Sequence, residues 1–137
     1  VSQGSAMHGN PISALAEFRD ISAQSSTMET YYNPEDLKKF GNIAEWDKNL
    51  AGKFFDWYGE VFKPGALTAR EKSLIALAVA HVVQCPYCID AYTGDSLEKG
   101  STEAQMMEAV HVAAAIRGGA SLVHGVQMMN KAKKLSM

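Results

Sequence analysis

Apolar residues recur at intervals of three and four along most of this chain, and no stretch alternates apolar and polar positions between turns. The pattern predicts an all-α protein of about six helices. Asn33-Pro34-Glu35-Asp36 has the form of a helix start, with a capping side chain, proline in the first turn and acids at the positive end; Gly41 closes this short helix after Phe40. From Ile43 to Phe62, Trp46, Leu50, Phe54, Trp57, Tyr58 and Val61 mark one long amphipathic helix whose aromatic residues are expected in the core or at a subunit interface. After the turn Lys63-Pro64-Gly65, Thr68 and Glu71 form a capping box. The helix it opens is apolar almost all round from Leu74 to Val83, so burial on most faces is expected. A fourth helix runs from Pro86 to about Lys99 with Gly100 as its stop, and a fifth opens at Ser101-Thr102 with Met106, Val110, Ala113 and Ala114 as its buried stripe. Gly118-Gly119 is expected to end it, with a sixth helix from about Ala120 to Lys134.

Ahead of these lies a leader, residues 1–27, rich in Ser, Ala and Gly, whose opening Val-Ser-Gln-Gly-Ser looks partly like an expression remnant. Within it, Ile12, Leu15, Phe18 and Ile21 are spaced for a short docked helix. Residues 28–137 then form the helical domain. The 137 residues are one domain in size, and a hydrophobic fraction of 47% supplies a core without disulfide staples. A net charge of -2 without blocks of like charge gives no reason to expect nucleic acid or an anionic membrane as partner. No segment reaches the ~18 uninterrupted apolar residues of a membrane span. A cytoplasmic protein is expected, and in that reducing compartment a close cysteine pair is more often catalytic or metal-binding than structural.

Both cysteines fall in His81-Val-Val-Gln-Cys85-Pro-Tyr-Cys88-Ile-Asp-Ala-Tyr92. Pro86 suits the first position of a helix, which makes Cys85 the expected N-cap. A thiolate there faces free backbone N–H groups and the positive end of the helix dipole, which bring cysteine pKa values from about 8.5 into a range of about 3.5–7.5 in redox sites. Tyr92, four residues after Cys88, should stand over it, and His81, four before Cys85, is a candidate base if the bend between the helices is small. The alternative for His81 is a core histidine bonded to a backbone carbonyl. His111 and His124, on either side of Gly118-Gly119, would meet if their helices packed antiparallel and could complete a zinc site with the cysteines, but the usual short spacing of the second ligand pair is missing. No resident metal or cofactor is therefore expected. Arg117 suits a helix C-terminal cation or an anion-binding group.

The run from Leu67 to Tyr92 resembles the alkylhydroperoxidase D and carboxymuconolactone decarboxylase superfamily, with a likeness extending from roughly Tyr31 to Met129. Within it, Gln84–Thr93 together with Val110–Gly119 is similar to the branch described as arsenosugar biosynthesis-associated peroxidase-like proteins. The resemblance implies an all-helical alkylhydroperoxidase D-like fold, homo-oligomers (trimers or hexamers), and thiol-dependent reduction of a peroxide with electrons from a dithiol reductant. The family's peroxidases place a Glu twelve residues before the first cysteine and a His four after the second, as a proton relay; Ser73 and Tyr92 hold those positions here. Both are poor bases at neutral pH. Glu71 sits two residues from the relay position and points elsewhere, which leaves His81 as the replacement base. The expected site is thus Cys85, Cys88, His81, Tyr92 and Glu71, with Cys85 the more acidic thiol and Cys88 a rival for the attack on peroxide. The competing functions are a non-catalytic module holding zinc or a thiophilic species such as trivalent arsenic, and a structural partner of another enzyme.

Overall fold

The computed structural model describes residues 30–137, so the leader helix expected near Ile12–Ile21 lies outside the described residues. A 3-10 helix, Pro34–Glu45, is followed by four α-helices: α1 (Lys48–Phe62), α2 (Ala69–Val83), α3 (Pro86–Glu98) and α4 (Glu103–Leu135). No strand occurs among the described residues, and Tyr32–Met137 form one unit. The all-α expectation holds, and among the described residues five helical segments stand in place of the six expected.

Side-chain caps decide where each helix begins. The Asn33 side chain accepts from the Glu35 amide at 3.1 Å, and Thr68 and Thr102 each form a capping box, with Glu71 and Gln105 respectively. The helix expected from Ile43 to Phe62 is divided: Asp47 adopts an extended conformation and its carboxylate takes the Leu50 amide at 2.9 Å, so the α-helix starts at Lys48. Nor does Gly41 stop the preceding segment, which runs on as 3-10 helix to Glu45. At the other end, Gly118-Gly119 does not break the chain. Helix α4 continues through both glycines for 33 residues, about 50 Å. The physical reason is that a glycine costs an exposed helix only about 1 kcal/mol, too little to end one supported by good helix formers on both sides.

Helix α2 is the centre of the fold, packing chiefly on α3 and α4, while α1 packs mainly on the 3-10 helix. Leu77 and Ala80 of α2, Ala51 of α1, and Met106 and Ala113 of α4 form the buried apolar core. Val110 is half-buried and Ala114 exposed, so only part of the stripe expected on α4 is covered. The expectation that α2 is buried on most faces is also corrected. Ile75, Val79 and Val83 are each at least half exposed in the single chain, because only the face carrying Ser73, Leu77 and Ala80 meets α3 and α4.

Candidate functional site

The turn between α2 and α3 is very short. Gln84 ends α2 in the left-handed region (φ 56°), donating its amide to the Ala80 and His81 carbonyls, and Cys85 donates to the Ala80 carbonyl at 3.1 Å. A left-handed C-terminal residue is the usual way to reverse out of a helix, although glycine is its common occupant. Cys85 is then extended, and Pro86 begins α3 with a preset φ and no amide to satisfy. Cys85 is therefore the N-cap, as the sequence predicts: its Sγ accepts from the Cys88 amide at 3.2 Å. Cys85 and Cys88 are joined as a disulfide, with Cα atoms 5.2 Å apart. Neither sulfur is lost in the core, since both residues are half-buried at the wall of an open cavity.

That cavity, of about 650 Å³, lies between α3, α1 and the 3-10 helix, and Cys85 and Cys88 share it with Phe40, Phe55, Tyr58 and Tyr92. A second cavity of about 530 Å³ reaches Cys88 from the other side, along α2 and the end of α1, and Tyr58 and Tyr92 line it too. The two tyrosines thus line both cavities together with Cys88. Their hydroxyls are hydrogen-bonded to each other. The Tyr92 ring stacks on Phe62 at 5.3 Å between centroids, and Phe62 in turn packs on Tyr58 at 5.0 Å. Burial, then the Tyr58 hydroxyl and the nearby Asp95 charge, raise the Tyr92 phenol well above its ordinary 10.0, so it stays protonated at neutral pH. Lys72 fixes the α1 side of this wall by donating to the Val61 and Lys63 carbonyls at 2.7 and 2.6 Å, an α2 cation on the C-terminal end of α1.

Below the tyrosines lies a polar network that sequence reasoning missed. Ser73 and Ser96 are both fully buried, their hydroxyls 2.9 Å apart, and Ser73 also donates to Asp95 at 2.7 Å. Lys99 pairs with the other oxygen of Asp95. Burial alone would push the Asp95 carboxyl up, but the hydrogen bonds from Lys99 and Ser73 outweigh it and hold the group below its usual value. Asp95 lines the larger cavity with the cysteines. Ser73, the position where the resemblance implies a relay glutamate, instead meets a carboxylate that comes from α3. The sequence signal was the Asp95–Lys99 pair at i, i+4, although nothing in it showed that Ser73 would meet Asp95 across the helix interface.

The remaining expected site residues are placed elsewhere. His81 Nδ1 is 2.8 Å from the Leu77 carbonyl of its own helix, the core-histidine alternative. It lines a third cavity, of about 180 Å³, with Val110, Ala113 and Arg117, and neither cavity that reaches the sulfurs. Glu71 is exposed in the capping box, bonded to the Thr68 amide and hydroxyl at 2.6 and 2.9 Å, and lines none of these cavities. The Thr68 amide and hydroxyl hold its carboxyl below the ordinary value, as a cap does. Arg117 lies within the continuous α4 and not at the helix end expected before Gly118; it donates instead to the Val82 carbonyl at the C-terminal end of α2. Because α4 is continuous, His111 and His124 stand about 20 Å apart along one helix, and the antiparallel meeting that would complete a zinc site does not occur. Among the described residues no three His, Cys, Asp or Glu side chains converge on one point.

Comparison with known proteins agrees with this geometry. An uncharacterized protein 4 in the cox locus of Paracoccus denitrificans is 52% identical over 91 residues, 66% of this chain and 82% of that protein. A crystal structure of a protein from Methanobacterium thermoautotrophicum superposes with a TM-score of 0.61 at 34% identity, covering 63% of this chain and 97% of the other. Residues 49–131, from the first turn of α1 to near the end of α4 and including the whole cysteine turn, match the carboxymuconolactone decarboxylase family, and the chain belongs to that family.

Proposed function

We propose that the protein is a dithiol oxidoreductase of peroxidase type, in which Cys85 and Cys88 cycle between two thiols and a disulfide. The observation that carries this reading is the pairing of the two cysteines at a helix N-terminus, on the wall of an aromatic cavity large enough for a small organic oxidant. The N-cap position favours a thiolate at Cys85, because the Cys88 amide already points at its sulfur. In the oxidising half-reaction the thiolate attacks the terminal oxygen of a hydroperoxide; the O–O bond breaks, the sulfur becomes a sulfenic acid, and the remaining oxygen departs as alkoxide or hydroxide and takes up a proton. The second thiol then attacks the sulfenic sulfur, releasing water and closing the disulfide. An external dithiol restores the pair by two thiol–disulfide exchanges and leaves as its own disulfide.

The nearest rival, a site holding zinc through the two thiolates and histidines, is disfavoured by the positions of His81, His111 and His124 described above. The test is steady-state turnover of an alkyl hydroperoxide with a dithiol reductant. Wild-type protein should consume one dithiol per peroxide, and Cys85→Ser and Cys88→Ser should each stop turnover; activity that survives both substitutions would refute the cycle. The apolar surfaces of α2 and α4 further support assembly of copies of this chain, as the family likeness implies.

A further inference from the structure

No histidine lines either cavity that reaches the sulfurs, but two hydroxyls bonded to one another line both. From this we infer that the Tyr58–Tyr92 pair is the acid of the reaction: Tyr92 gives its proton to the oxygen leaving the peroxide, and Tyr58 holds Tyr92 in place and passes a replacement proton to it. The inference rests on the proposed peroxidase cycle and adds a role for Tyr58 that the cysteine motif does not contain.

Three observations converge on it. Tyr58 and Tyr92 are the two hydroxyl-bearing side chains that line both cavities around Cys88, so an oxidant reaching the sulfurs from either side meets them. Their rings are held by the Phe62 stack and by the Lys72 clamp on α1, so the hydroxyls are pre-positioned and no ordering is needed during reaction. The chemistry then selects acid over base. A phenol with a raised pKa cannot remove a proton from a thiol near neutral pH, since it carries no negative charge there. It remains a stronger acid than the product it must protonate, because hydroxide is the conjugate base of water, with a pKa of about 15.7, and simple alkoxides are comparable.

The proton and electron balance closes. The attacking cysteine releases its proton to solvent on becoming a thiolate. The sulfur is oxidised as the O–O bond is reduced, and the leaving alkoxide takes the proton of Tyr92. The phenolate so formed recovers a proton from Tyr58, which is refilled from solvent through the open cavity. Thiolate formation is thereby left to the N-cap, and leaving-group departure is assigned to the tyrosines.

Leaving-group dependence tests this. Reduced wild-type, Tyr92→Phe and Tyr58→Phe proteins are each mixed with tert-butyl hydroperoxide, whose alkoxide needs a proton, and with a peroxybenzoic acid, whose carboxylate, with a pKa near 4, does not. Thiol loss is followed in a single turnover, and thiol alkylation by iodoacetamide is measured alongside. Removing the hydroxyl of Tyr92 should slow the hydroperoxide reaction by about 10²-fold, the lower range of general acid catalysis, and Tyr58→Phe by a smaller factor. The peroxy acid and alkylation rates should change less than about threefold, within the scatter expected when no proton is transferred to the leaving group. Equal slowing with both oxidants, or no slowing with either, would overturn the inference while leaving the cycle intact. If wild-type protein consumes neither oxidant, the cycle and the inference fall together.

Discussion

Ser73 and Asp95 show what single residues decide here. A glutamate at position 73 would enter a fully buried site beside the Asp95 carboxylate, and two carboxylates in one such site cannot both ionise. The serine is therefore matched to its neighbour, and Ser73→Glu alone should destabilise the fold. Asp95 itself contributes pH-dependent stability. Its folded pKa lies below the unfolded value, so its contribution is complete above about pH 4 and is lost as the pH falls through the lower folded value. Asp95→Asn should cost about 1.5–3 kcal/mol at neutral pH, the range for a hydrogen bond to a charged group, and should flatten the loss of stability below pH 4. Urea unfolding at pH 7 and pH 3 checks both parts; an unchanged acid limb would contradict the assignment. The cysteine N-cap was legible in the sequence because Pro86 fixes it locally. Tyr58, Ser96 and Asp95 were not, because their roles arise only where α1, α2 and α3 meet.

At the scale of elements, the caps written into the sequence at Asn33, Thr68, Cys85 and Thr102 all form, since each needs only its own next turn. The errors came where two local signals compete. Asp47 can cap or continue a helix, and it caps; Gly118-Gly119 can end a helix or pass through one, and α4 passes through. An added Cβ at either glycine meets nothing within 4 Å in the chain. Gly118→Ala and Gly119→Ala should therefore each stabilise the folded chain by about 0.5–1 kcal/mol. A rise in Tm of a few degrees for each is expected on calorimetry. A fall would mean that the helix is not continuous there, or that a neighbouring copy approaches the glycines closely.

For the whole molecule, the notable property is how much apolar surface the single chain leaves uncovered. Val79 of α2 is 52% exposed and Leu122 of α4 80%, and from Arg117 to the C-terminus every residue except Gly125 is exposed. An apolar half-helix left uncovered by the other described residues is unusual for a monomer, and an interface between copies is the simplest cover. No helix among the described residues is long and apolar enough to cross a membrane. Light scattering at micromolar concentration should give a mass of at least three chains, and Val126→Glu with Val79→Glu should lower it without loss of helix content. A monomeric wild-type protein would contradict the prediction and leave these residues unexplained.

The central claim is that Cys85 and Cys88 act as one two-electron unit toward a peroxide. Mass spectrometry of fully reduced protein after one equivalent of cumene hydroperoxide tests it most directly, with the alcohol product measured in the same sample. The cycle predicts one alcohol formed per chain, loss of two hydrogens per chain, a Cys85–Cys88 linkage on peptide mapping, and return of both thiols on adding a dithiol. Reduced thiols persisting beside unconsumed hydroperoxide, or oxidation that stops at a sulfinic acid on one cysteine with no linkage formed, would contradict it.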